Sequence, residues 1–159
     1  MFSQIIQAMK YPKYNYRSEK SLHYYEFISE GPNGQIKKII EYTETATKNV
    51  YNLGFGDYDN STKTVSDITV TNNGDSLKVL ATVASTVYAF TQKYPEAWIL
   101  ATGSTNVRTR LYRMGITNNL VEIAEDFVVF GFDSNNKWTE FIVGEDYEAF
   151  LITKKENLK

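Results

Sequence analysis

The chain contains no cysteine, which removes disulfides, thiolate nucleophiles and cysteine zinc sites together and fits a reducing compartment. It has a single histidine, His23, so a histidine metal site or an internal Ser-His-Asp triad would have to use that residue. His23 stands among Leu22, Tyr24 and Tyr25 at the start of a strand pattern, where packing is the simpler role. Proline is scarce, at three residues, and Pro12, Pro32 and Pro95 all fall between periodic segments. Neither sign of charge dominates: the formal net charge is -2, which argues against a general nucleic-acid binder while leaving room for a local basic patch. A long apolar run is missing too. Residues 1–10 place Phe2, Ile5, Ile6 and Met9 at helical spacing without a basic leader or a long apolar core, so neither a signal peptide nor a membrane span is expected. Such a helix packs on its own domain or docks elsewhere through its apolar face. The default expectation is a soluble, cytoplasmic protein.

What is present suits a folded, strand-rich domain. The 159 residues are 14% aromatic, with 12 Tyr and 9 Phe, and aromatic side chains favour pleated, half-buried surfaces. One domain over residues 1–159 is expected, with a helix and connection over 1–20 and a frayed tail over 154–159. Strand patterns cover residues 22–29, 35–42, 50–58 and 64–71, separated by Gly31-Pro32-Asn33-Gly34, a polar loop, and Asp59-Asn60-Ser61-Thr62. In the second strand Ile36, Lys38, Ile40 and Tyr42 share one face, with Ile39 on the other. Glycine at 54 and 56, inside the third strand, signals a bulge or the close approach of a ligand.

The pattern changes after Asn73. Leu77, Leu80, Val83, Ala84, Val87 and Phe90 recur at helical spacing over residues 77–93, a stripe wide enough for a helix covered on more than one side. Asp75 or Ser76 suits the N-cap, and Pro95 marks the stop. Residues 97–101 read as an interior strand buried on both faces. A helix follows over 106–114, resuming over 118–124 after a break at Gly115. Strands over 127–132, 138–143 and 147–153 close the chain. These elements make an α/β (α+β) fold: a mixed, largely antiparallel sheet of six to seven strands with packed helices, in the order ββββαβαββ.

Three clusters carry candidate chemistry. Thr102 through Arg113 reads as a strand end, Gly103-Ser104-Thr105, and a helix start with Arg108, Arg110 and Arg113. Backbone N–H groups, hydroxyls and guanidiniums there form a workable phosphate cradle, with Arg110 and Arg113 on one face and Arg108 on another. A capped helix with solvated arginines fits the same residues. The Asn72-Asn73-Gly74-Asp75-Ser76 turn opens the earlier helix; Asn73, Gly74 and Ser76 would offer N–H groups to an anion, against the charge of Asp75. A capped turn with Gly74 at positive φ explains it equally. Asp57 and Asp59, two apart on one strand face, would hold Mg²⁺ or act as acid and base with Asp67 across the hairpin, or simply be solvated turn residues.

Two resemblances add to this. Tyr25-Glu26-Phe27 with Glu30-Gly31-Pro32, residues 51–57, Asn72-Asn73-Gly74-Asp75 with 78–83, and Gly103-Ser104-Thr105 with 108–113 together resemble an uncharacterised family of single-domain bacterial proteins. That family brings no assigned activity. The second resemblance is to the GNAT-type N-acetyltransferase fold, from about residue 22 to residue 153: a meander, then helix, strand, helix and a final strand pair. Asn106 through Leu111-Tyr112 and Gly115-Ile116 looks like that family's Asn…Leu-Tyr…Gly-Phe helix, one residue shorter between Tyr and Gly. The resemblance implies acetyl-CoA as cofactor and Tyr112 as the acid that protonates the departing thiolate. Residues 73–78 hold one glycine and an acid where that family carries an Arg/Gln-x-x-Gly-x-Gly/Ala pyrophosphate loop. The functions that follow are a GNAT-like acyltransferase or degenerate acyl-CoA binder, a nucleotide or phosphoester site on the Gly-Ser-Thr/Arg helix, or a non-enzymatic interaction module such as a homodimer built on aromatic strands. The site is expected in the crevice between the starts of the two central helices, with the interaction module binding instead through its aromatic strands, and no membrane partner is expected.

Overall fold

The computed structural model describes residues 11–65, 71–103 and 105–158. Strands β1 (Arg17–Ser18), β2 (Tyr24–Gly31), β3 (Gly34–Glu44) and β4 (Val50–Asp59) form an antiparallel run, with the short β5 (Thr64–Val65) pairing with the end of β4. Helix α1 (Ser76–Lys93) then carries the chain to β6 (Trp98–Thr102), which lies parallel to β4. Helices α2 (Asn106–Asn118) and α3 (Leu120–Asp126) lead to β7 (Phe127–Phe132) and β8 (Trp138–Glu140). The last strand, β9 (Ala149–Lys154), inserts antiparallel between β6 and β7. The path across the sheet is β1-β2-β3-β4-β6-β9-β7-β8. No helix among the described residues is long and apolar enough to cross a membrane.

This is the mixed, mainly antiparallel sheet with packed helices that periodicity suggests, but with eight strands along its path and β5 beside it rather than six or seven. β1, two residues long, is too short to leave an alternating pattern, and the strand expected over 138–143 narrows to the three residues of β8. Of the strand expected over 64–71, only β5 is seen, Thr71 is outside any strand, and Ile68, Val70 and Asp67 lie outside the described residues, as does the expected helix over 1–10. Register from β3 to β4 is unbroken through Gly54 and Gly56, so neither glycine marks a bulge.

One face of the sheet holds the core. Tyr25, Phe27, Ile40, Tyr42, Leu53 and Phe55 meet Val79, Val83, Val87 and Phe90 of α1, while Ile99, Phe150, Ile152 and Val129 meet Tyr112, Ile116 and Ile123. α1 is covered on several sides, by the sheet, by α2 and by the segment at Tyr14, whose N–H donates to Thr82 Oγ1 at 2.8 Å. That explains its wide buried stripe. His23 packs among rings, 5.3 Å from Phe90 and 5.1 Å from Tyr94. β6 is interior by position, yet only Ile99 and Ala101 are buried; Trp98 and Leu100 lie half-exposed on the opposite face, where the Trp98 ring stacks with Phe130. α2 does not break at Gly115 but runs to Asn118, because Gly115 faces α1 and a Cβ there would sit 3.3 Å from Leu80. A 3₁₀ turn covers Lys155–Leu158, with Asn157 Nδ2 donating to the Pro95 carbonyl at 2.9 Å.

Candidate functional site

The start of α1 and the start of α2 share one crevice of about 200 Å³. Its polar wall is Lys38, Thr71, Asn72, Asn73, Asp75 and Ser76. The apolar wall is Phe55, Val79 and Leu80 with Val107, Leu111 and Met114 from α2. A molecule with an apolar arm and a polar or anionic head matches such walls.

The polar wall hangs on an ion pair. Lys38 and Asp57 face each other across β3 and β4, both buried, with the Lys38 ammonium bound to the Asp57 carboxylate. The pair also grips one residue of the loop before α1: Lys38 Nζ donates to the Thr71 carbonyl at 2.9 Å, and the Thr71 N–H donates to Asp57 Oδ2 at 3.0 Å. A buried charge pair needs such further bonds to offset its desolvation. An ammonium has three N–H donors. Among the described residues Lys38 uses two of them, and it lines the crevice.

Two more anchors hold the loop. Asn73 Nδ2 donates to Ser29 Oγ (3.2 Å) and to the Gly34 carbonyl (2.9 Å), while Asn73 Oδ1 accepts the Asn33 N–H (2.8 Å). Asp75 Oδ2 accepts from the hydroxyls of Tyr14 and Ser29, each at 2.6 Å. Burial, then the hydrogen bond to Asp75, push the Tyr14 hydroxyl above its ordinary pKa, so it remains a donor. Gly74 has φ +74° and its N–H donates to Asn72 Oδ1 at 3.0 Å, the local turn that lets the chain enter α1.

The two helix starts differ in a way that matters for anions. Asp75 occupies the N-cap of α1, but its side chain is committed to Tyr14 and Ser29 and makes no cap bond. The first-turn N–H groups of Ser76, Leu77 and Lys78 have no intrahelical acceptor, and Ser76 lines the crevice. At α2 the Thr105 side chain accepts from the Arg108 N–H at 3.2 Å, so that start is capped. Gly103 packs against Thr109, and Ser104 lies outside the described residues.

The remaining sequence candidates scatter. Arg110 and Arg113 line a separate cavity of about 250 Å³ with Asp146 and Tyr147, and Arg113 pairs with Asp146. Arg108 is buried. The Tyr112 hydroxyl donates to the Leu53 carbonyl at 3.3 Å, in the core. That carbonyl is the first past the β4–β6 ladder, which stops at Asn52↔Leu100. Asp59 stands at the strand end, accepting from the Ser61 N–H (2.9 Å) and hydroxyl (2.6 Å), bonds that lower its pKa. Among the described residues no three acidic or histidine side chains gather as a metal site. The structure thus brings Asn73 and Ser76 to the crevice with Lys38, sets Gly74 in the turn beside it, against Pro32, and leaves Asp59, Gly103, Thr105, Arg110 and Arg113 away from it. Lys38 was open to detection as a charge on an apolar strand face; Tyr14 and Ser29 carried no signal.

A family model described as a family of unknown function (DUF6934) matches residues 10–155. No curated protein and no solved structure matches the chain.

Proposed function

We propose, from the premise that the chain belongs to DUF6934, a family of unknown function, that its crevice binds a thioester of the acyl-CoA kind. The observation that carries the reading is an uncapped helix start opening into a cavity with one polar and one apolar wall. Phosphate oxygens of the ligand meet the N–H groups of Ser76, Leu77 and Lys78 and the positive end of the α1 dipole. The pantetheine arm runs along Val79, Leu80, Val107, Leu111 and Met114. The third N–H of Lys38 is left to hydrogen-bond the thioester carbonyl or a phosphate. The order meander, helix, strand, helix, final strands is the order on which the likeness to GNAT-type acetyltransferases rests, and it supports the same ligand. With one glycine in residues 73–78, fewer backbone donors converge on the pyrophosphate than in that fold's usual loop, which favours a binding protein over a fast transferase. Tyr112 in this reading positions the core where β4 and β6 part, through its bond to Leu53.

The test is a thermal-unfolding titration with acetyl-CoA on the natural chain and on Leu111→Trp, which fills the apolar wall. Ligand at about 100 times its Kd adds about 2.7 kcal/mol of stability. A rise in Tm with the natural chain that is lost in Leu111→Trp supports the crevice. No rise, or one that survives in the variant, overturns it.

A further inference from the structure

On the other side of the α1 start lies a larger groove, of about 550 Å³, between residues 13–17 and the edge of β2. We propose that this groove is a second ligand site, for a small soluble phosphate ester. Its walls carry Lys13, Arg17, Lys37 and Lys78 against Glu26 and Glu30.

The acids are already engaged. Glu26 Oε2 lies 3.4 Å from Lys37 Nζ and accepts the Tyr24 hydroxyl at 3.3 Å, and Glu30 Oε1 accepts from Gln35 Nε2 at 3.4 Å. Among the described residues neither Lys13 nor Arg17 pairs with a carboxylate, and Lys78 rests over the Tyr14 ring, 4.2 Å from its centre. The groove therefore holds cationic donors in excess of the anions that could quench them. Lysine and arginine in that setting select phosphate, with arginine giving a two-point contact.

Size and surroundings narrow the class. The groove is of the volume that encloses a small organic ligand. The whole chain carries a net charge of -2, with neither sign in large excess, so it offers no general attraction to a polyanion or an anionic membrane. Phe27 is buried, and Tyr14 has one ring face against Phe27 at 5.5 Å and the other under Lys78. No free aromatic face is offered for base stacking, so charge rather than a ring identifies the ligand. The Tyr14–Asp75 hydrogen bond separates this groove from the crevice, since Tyr14 lines one and Asp75 the other.

Calorimetric titration with ADP and with glucose 6-phosphate, both in EDTA, tests the proposal. Both should bind the natural chain, and a Lys13→Ala/Arg17→Ala variant should bind at least tenfold more weakly. Both replaced side chains are exposed, so the fold is untouched. Leu111→Trp, which alters the crevice alone, should bind both probes like the natural chain, so failure of the acyl-CoA reading leaves this result standing. No binding at millimolar probe, affinity unchanged in the double variant, or loss of binding in Leu111→Trp overturns the proposal. So does capture of anionic vesicles or an acidic peptide in place of the two phosphate esters.

Discussion

Lys38 occupies a position where the alternation of β3 calls for an apolar side chain, between Ile36 and Ile40 on the face that packs under α1. Its charge is tolerated because Asp57 stands opposite and because both groups bind the backbone of Thr71. The unit replaces a stretch of strand ladder: two side chains satisfy the N–H and C=O of a loop residue that no strand reaches. Removing one partner leaves the other charge buried and Thr71 half-satisfied. Lys38→Met should therefore destabilise the chain by about 3–5 kcal/mol, whereas Lys38→Met with Asp57→Leu should lose less than the sum of the single changes. Urea unfolding of the four proteins in the cycle measures the coupling. Additive losses would mean that the two residues act separately and that the crevice wall is held by Asn73 and Asp75 alone.

At the scale of elements, the β2–β3 hairpin and the loop into α1 form one unit, and two glycines of the hairpin separate local from distant causes. Gly34 sits at φ +86° with open space around the place a Cβ would take, so its requirement is conformational and local. A Cβ at Gly31 would instead collide with the Asn73 carbonyl oxygen, a backbone atom that cannot swing aside. Gly34→Ala should cost about 1 kcal/mol, and Gly31→Ala should cost more, about 1–3 kcal/mol, because the loop must shift. Gly31→Ala should also weaken acetyl-CoA binding while Gly34→Ala leaves it unchanged; equal effects would show that the loop is not seated on the hairpin. The same contrast explains what was legible in the sequence. The Gly31–Gly34 turn, the stripe of α1 and the end strands all rest on patterns within a dozen residues, and the place of the crevice follows from the order of the elements rather than from any one pattern. So does Lys38, as the odd member of a period-2 face. The pairing of Tyr14 with Asp75 spans 61 residues, and the seat of Asn73 on Gly34 spans 39. No local pattern carries such contacts, which is why Asp75 reads as a helix cap although its carboxylate faces Tyr14 and Ser29. Gly115 reads as a helix breaker for the same reason, since its partner Leu80 lies on another helix.

Across the whole molecule, tyrosine is the most distinctive ionisable group. Burial raises the hydroxyl pKa of Tyr16, Tyr25, Tyr42, Tyr51 and Tyr88, and Tyr24 is pushed up to about 12 by burial and by the nearby Glu26 carboxylate. These side chains are spread over β2, β3, β4, α1 and the segment before β1, so their protonation state belongs to the fold as a unit. In the unfolded chain each tyrosine ionises near 10.0. Below that pH both states hold the protons and stability is independent of these groups. Above it the unfolded chain releases protons that the folded chain retains, so stability falls with rising pH, by up to about 1.4 kcal/mol per pH unit for each such proton. Several tyrosines acting together make the decline steep. Stability should therefore be lost from about pH 10 upward, with the tyrosinate absorbance of these side chains rising together with the loss of far-ultraviolet circular dichroism. A smooth tyrosine titration centred near pH 10 with the helical signal intact would mean that these hydroxyls reach water in the folded protein, and would remove the buried aromatic layer of β2, β3 and α1 as the basis of its stability.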